Sequence, residues 1–194
     1  MENFFRFATA FFLIGGFATS GYFRTRAQIK GGKMRSKDGT WPLVLMRFVG
    51  LALWVPIIAY IINPDTVTWA RISLPDGVRV GAVFVLIINS GLTFWMFRSL
   101  STNISPVEET REHATLVTNG PYRYIRHPLY SFGFILLFAL TILTAMWWVL
   151  VGALFFLIFI LWRTPREEAK LIEVFGDAYR SYMQRTGRFL PKLG

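Results

Sequence analysis

The sequence predicts an all-α membrane protein with five transmembrane helices, the last two folded as a helical hairpin. Three observations carry that prediction. Hydrophobic residues make up 54% of the 194 and charged residues only 16%, where soluble domains carry roughly a quarter charged. The charges are clustered, leaving long uncharged runs of the length a bilayer requires. Lysine and arginine alternate between the loops, as they do when cationic loops stay on the cytoplasmic side.

The first apolar region, 4–23, is broken only by Arg6, and the second, 41–62, holds Arg47 near one end. The third runs over 80–97. At about 1.5 Å per residue, each suits a hydrocarbon core of roughly 30 Å. The fourth region, 129–162, has 34 residues. A single helix of that length would reach about 51 Å, so it is expected to fold back on itself near Thr141–Thr144, with Trp147 and Trp148 at the interface. Eighteen of the 21 cationic residues then fall on one side, with Arg6, Arg71 and Arg79 on the other. The N-terminus is expected outside and the C-terminus inside. A cleavable signal peptide fits poorly, because the basic residues follow the first apolar run instead of preceding it.

The three leading spans offer little chemistry. Gly16 and Ser20 form a small-residue pair of the kind that allows close helix packing. Asn89-Ser90-Gly91 reads as an interhelical hydrogen-bond site or the lining of a polar cavity. The stretch 24–38, with six cations and Gly31-Gly32, reads as a flexible loop attracted to anionic headgroups. Residues 1–100 are thus expected to form a membrane domain, and 101–194 the region that carries chemistry.

That second region begins with Ser105-Pro106-Val107-Glu108, a helix start with Ser as cap and Pro at the first position. Asn119-Gly120-Pro121 is a turn signal. Next comes "YRYIRHPLYSFG", in which His127-Pro128 opens a helix, since proline is tolerated in a first turn. His127 therefore stands at a helix N-terminus, where unpaired N–H groups favour an electron-rich ligand. After the hairpin, Arg163 and Glu167 are four apart on one helix face. Thr164-Pro165-Arg166-Glu167 also fits a capping box, so Glu167 has a structural reading beside a functional one, and Arg163 reads equally as a snorkelling cation. Leu171, Ile172, Phe175 and Tyr179 continue an apolar face along the membrane surface, and Gly176-Asp177 reads as a stop followed by a new cap.

Several chemistries are disfavoured. The chain has no cysteine, hence no disulfide, thiolate metal site or cysteine nucleophile. His113 and His127, its two histidines, have no zinc-ligand spacing. Nucleotide-binding glycine loops and the G-x-S-x-G elbow are missing. The net charge of +10 is accounted for by cytoplasmic loops facing membrane lipids, so no nucleic-acid partner is expected.

"TLVTNGPYRYIRHPLYSFG" and, about thirty residues on, "RTPREEAKLIEVFGDAYRSYMQRTGRFLP" together resemble the isoprenylcysteine carboxyl methyltransferase family of integral membrane enzymes. The resemblance covers roughly residues 114–191 and rests on two separated motifs agreeing in content, order and spacing. It implies S-adenosyl-L-methionine as methyl donor and S-adenosyl-L-homocysteine as product, held by cytoplasmic helices and loops. Ala114, Thr115, Leu116, Val117, Tyr122, His127, Pro128, Leu129 and Tyr130 fall on its cofactor-contacting positions, and Arg163 and Glu167 on its catalytic or substrate-orienting pair. Ala114 departs from the eukaryotic pattern, which has histidine there; His113 stands one position earlier. The implied acceptor is a lipophilic carboxylate, such as a prenylcysteine or an isoprenoid acid, reached from the bilayer at the cytoplasmic face of a plasma membrane or endoplasmic reticulum. No metal is implied. Two other activities keep part of the pattern: an NADPH-dependent sterol or isoprenoid reductase, with a similar Arg-His-Pro segment, and a methyltransferase acting on a phospholipid amine.

Overall fold

Backbone N–H and C=O groups cannot go unpaired in hydrocarbon, and each apolar run satisfies them internally as a helix. A computed structural model describes residues 1–31, 40–100 and 115–192. Helix α1 spans Glu2–Gly31, α2 Thr40–Ile62, α3 Asp76–Leu100, α4 Pro128–Thr144, α5 Trp147–Phe175 and α6 Asp177–Arg185. Short 3-10 helices cover Pro64–Ala70 and Gly120–Arg123. No β-strand occurs among the described residues.

All four apolar regions are helical, and the fourth is a hairpin as expected. Three described helices are long and apolar enough to cross a membrane: α3, α5 and residues 2–27 of α1. Helix α4 has 17 residues, about 26 Å.

Several boundaries differ from expectation. Arg24–Gly31 belongs to α1 instead of a flexible loop, because Arg, Ala, Gln and Lys are good helix formers. The hairpin turns at Ala145-Met146, past Thr141–Thr144. The hydroxyls of Thr141 and Thr144 donate back to the carbonyls of Leu137 and Leu140, which satisfies them inside the helix, and Ala145 takes the reversal at φ +52°. No helix begins at Thr164-Pro165: α5 runs through Pro165 to Phe175, and the Thr164 hydroxyl donates to the Ile160 carbonyl instead of capping a new helix. Gly176 ends α5 and itself occupies the cap of α6, with Asp177 as first helical residue. A Cβ at Gly16 would meet nothing within 4 Å, so its pairing with Ser20 does not mark a close crossing among the described residues. Ser90 bonds back to Leu86 within its helix. The expected helix start at Ser105–Glu108, along with His113, Ala114 and residues 32–38 of the basic stretch, lies outside the described residues.

The chain divides into two compact units, each drawn from several segments. The first comprises 1–16, 37–90 and 134–157. Its core includes Phe5, Phe12, Ile57, Tyr60, Leu86, Leu140, Leu143 and Met146. The three cations expected on the outer side all have partners here. Arg71 and Arg79 pair with Glu2 at 2.8 and 2.9 Å, while Arg6 donates to the carbonyls of Ile61 and Ile62 at the end of α2. Trp147 and Trp148 donate their indole N–H groups to Trp69 and Ala52 carbonyls.

The second unit comprises 17–36, 91–133 and 158–194. Phe23 stacks on Phe97 and meets Phe94 edge-on. The polar motifs of the chain gather in this unit.

Candidate functional site

The local chain path explains how the polar residues come together. Gly120 sits at φ +59°, where a Cβ would lie 2.0 Å from the Ser99 hydroxyl oxygen, so the turn after Asn119 needs glycine. The 3-10 turn over Gly120–Arg123 reverses the chain, and Pro128 then opens α4. His127 precedes that helix and its carbonyl accepts from the N–H groups of Tyr130 and Ser131. The expected turn and helix start are therefore both present.

His127 is 5% exposed and lies between two carboxylates of α5. Its Nδ1 is 3.8 Å from Glu167. Its Nε2 is 3.4 Å from Glu168, without hydrogen-bond geometry. The ring stacks on Tyr130 at 5.5 Å and lies 6.0 Å from Phe189. Tyr130 donates its phenol to Glu167 Oε2 at 2.6 Å. Arg163, one turn earlier on α5, has its Nε 3.9 Å from the same oxygen, with its side chain 30% exposed. Its guanidinium lies 5.9 Å from the Phe159 ring centre. Burial, reinforced by Tyr182 and Glu167, pushes the Tyr122 phenol upward, so it stays neutral.

The remaining expected residues divide in two. Thr115, Leu116 and Val117 lie outside any helix and, with Ser99, Leu100, Thr118 and Asn119, line an open cleft of about 370 Å³, within the usual size range of small-molecule sites. Pro128 is buried beside His127, whereas Leu129 is 45% exposed. Tyr130, His127, Glu167 and Arg163 thus form one cluster, and Thr115–Val117 line the cleft. Ala114 is outside the described residues.

Glu168 and Arg188 were not singled out from sequence. Glu168 is 3% exposed and accepts from Arg126 at 2.8 Å and Arg188 at 2.5 Å. The Glu167-Glu168 doublet was the available signal, because a pair of adjacent acids on a helix cannot both point the same way.

A sulfonium donor is a cation carrying an aromatic purine on a ribose and a polar amino-acid end. A buried carboxylate, aromatic faces at Tyr130, His127 and Phe189, and a polar cleft suit that combination. The residues present therefore fit S-adenosylmethionine.

The profile of the phospholipid methyltransferase family matches residues 78–178. Over 72 residues the chain is 42% identical to methanethiol S-methyltransferase of Pseudomonas deceptionensis, covering 37% of this chain and 27% of that protein. Over 75 residues it is 41% identical to methanethiol S-methyltransferase 1 of Bradyrhizobium diazoefficiens, covering 36% and 24%. The chain thus spans about a quarter of the length of the curated relatives it matches. Its fold is similar to that of the eukaryotic intramembrane Ras methyltransferase, isoprenylcysteine carboxyl methyltransferase, with a TM-score of 0.58 at 22% identity over 85% of this chain and 58% of that one. The fold likeness expected from the two motifs is borne out.

Proposed function

The chain belongs to the phospholipid methyltransferase family, and on that footing we propose that it transfers a methyl group from S-adenosylmethionine to an anionic group on a lipophilic acceptor. The observation that carries the reading is the buried Glu167, held by Tyr130 at 2.6 Å with Arg163 one turn away and His127 alongside. When bound, the donor supplies an already activated methyl group, and S-adenosylhomocysteine is the product. The protein's task is then to position two partners, which supplies most of the rate in such displacements.

Tyr130 fixes the Glu167 carboxylate, which faces the cationic donor. The tyrosine and histidine rings shield that place from water. Arg163 is partly exposed and aims the acceptor; a planar guanidinium grips a carboxylate at two points, where an ammonium grips at one. A carboxylate acceptor, such as a prenylcysteine or isoprenoid acid, is anionic at neutral pH and needs no general base. A thiolate is the second reading, favoured by the two methanethiol methyltransferases among the relatives. Methyl transfer is preferred to nicotinamide-dependent reduction because these relatives and the family itself are methyltransferases. A phospholipid amine must lose a proton before it can accept a methyl group, which a carboxylate or thiolate need not.

In this reading the chain crosses the membrane five times, through α1 to α5, with the N-terminus outside and residues 101–194 holding a cytoplasmic site. The one-sided distribution of lysine and arginine supports that orientation. The membrane is the plasma membrane in a prokaryote and the endoplasmic reticulum in a eukaryote.

Arg163→Ala tests the assignment. Turnover of the favoured acceptor is expected to fall at least ~100-fold, with donor affinity within about threefold of wild type. Equal losses in both would refute the division of labour. A panel of isoprenoid carboxylates, prenylcysteines, thiols and phospholipid amines identifies the acceptor by which product carries labelled methyl.

A further inference from the structure

Glu168 takes no part in the transfer described above, yet it is more enclosed than Glu167. Its two oxygens accept from Arg126 Nε at 2.8 Å and Arg188 Nη2 at 2.5 Å. Arg126 also donates to the carbonyls of Met183 and Thr186. Around this pair the backbone is stitched together. Arg126 N–H donates to Gly187 O at 2.9 Å, His127 N–H to Arg188 O at 3.1 Å, and Gly187 N–H to Tyr124 O at 3.1 Å. The Ser131 hydroxyl donates to Phe189 O at 2.6 Å. Residues 186–190 are thereby laid as a strap along residues 124–131.

Apolar burial does little to hold this strap. Leu190 is 76% exposed, and among the described residues the ring contact of this segment is Phe189 against His127. The Arg126 and Glu168 side chains are 8% and 4% exposed, and a buried pair that loses one partner is strongly disfavoured. We propose that Glu168 is a positioning residue: by clasping Arg126 and Arg188 it docks the strap 186–190 onto the mouth of α4 and fixes His127 for the donor. The clasp stands on geometry alone; its effect on the donor rests on the proposed function.

Two measurements test it on the full chain in detergent. Hydrogen exchange is followed at the amides of Arg126, His127 and Gly187, and S-adenosylhomocysteine binding is followed by calorimetry. In Glu168→Gln those amides exchange at least ~10-fold faster, while the interior of α4 is unchanged. S-Adenosylhomocysteine binds about tenfold more weakly, and kcat at saturating donor stays within about threefold. Arg188→Ala, at a half-exposed position that spares the fold, shifts both readouts in the same direction, and Arg188→Lys restores most of the loss. Unchanged exchange in both Glu168→Gln and Arg188→Ala overturns the clasp. Faster exchange with unaltered affinity, or a fall in kcat alone, overturns the positioning role. A wild-type protein that binds no S-adenosylhomocysteine removes the proposed function and the positioning role together, and the exchange measurement still decides on the clasp.

Discussion

Tyr130 gives Glu167 a donor inside the protein where water would otherwise have to reach it. A phenol bonded to a carboxylate at 2.6 Å is a charge-assisted contact, stronger than a neutral one. Tyr130→Phe keeps the ring and its stack on His127 while removing the donor, so turnover is expected to fall about tenfold and stability by about 1–3 kcal/mol. A wild-type rate in steady-state kinetics would show that Glu167 needs no orientation from this side. The sequence marked both residues, but it could not show that they meet. Their positions are 37 apart, and spacing along one helix says nothing about contacts between two. Arg163 and Glu167 were readable as neighbours for the opposite reason, since four residues is one helical turn. Glu168 was missed because its partners, Arg126 and Arg188, lie on other segments.

At the scale of elements, the helices follow the apolar runs closely and their ends follow local hydrogen bonding. Pro165 reads as a helix start, yet α5 passes through it. Pro165 has no N–H to give the Leu161 carbonyl one turn earlier, at the loss of one helical hydrogen bond, while the Thr164 hydroxyl donates to the neighbouring Ile160 carbonyl. The strap depends on Gly187: a Cβ there would lie 1.7 Å from the Leu190 carbonyl oxygen. Gly187→Ala is expected to cost about 1–3 kcal/mol, seen as a lower midpoint of thermal unfolding and faster exchange at His127. Helix α6 is tied back through Tyr182, whose phenol donates to the Tyr122 carbonyl at 2.6 Å. Burial pushes that phenol from an ordinary 10.0 up to about 12. The folded state thus holds the proton more tightly than the unfolded one. Its contribution is complete below pH 10.0 and is lost as pH rises toward 12. Tyr182→Phe removes this alkaline step and lowers stability by about 1 kcal/mol at neutral pH, measurable by tyrosinate absorbance and thermal melts.

For the whole molecule, composition alone indicated an all-helical membrane chain, because few other folds hide so many apolar residues with so few charges. The proposed five crossings and their proposed orientation rest on charge distribution, which no contact within the protein records. Since the chain has no cysteine, single introduced ones report cleanly. Asp65→Cys, in the 3-10 helix after α2, and Ser181→Cys, in α6, are both at exposed positions. In sealed oriented vesicles an impermeant thiol reagent is expected to label the first from outside and the second from the cytoplasmic side. Labelling of both from one side would remove the five-span topology.

The central claim is that the polar cluster in the second unit is a site for a sulfonium donor, and direct binding tests it without choosing an acceptor. Equilibrium dialysis of the purified wild-type protein against labelled S-adenosylmethionine, with NADPH as competitor, is the measurement. Binding on the order of micromolar, displaced by S-adenosylhomocysteine and unaffected by NADPH, is the predicted result. No uptake of S-adenosylmethionine, or its displacement by NADPH, would contradict the account.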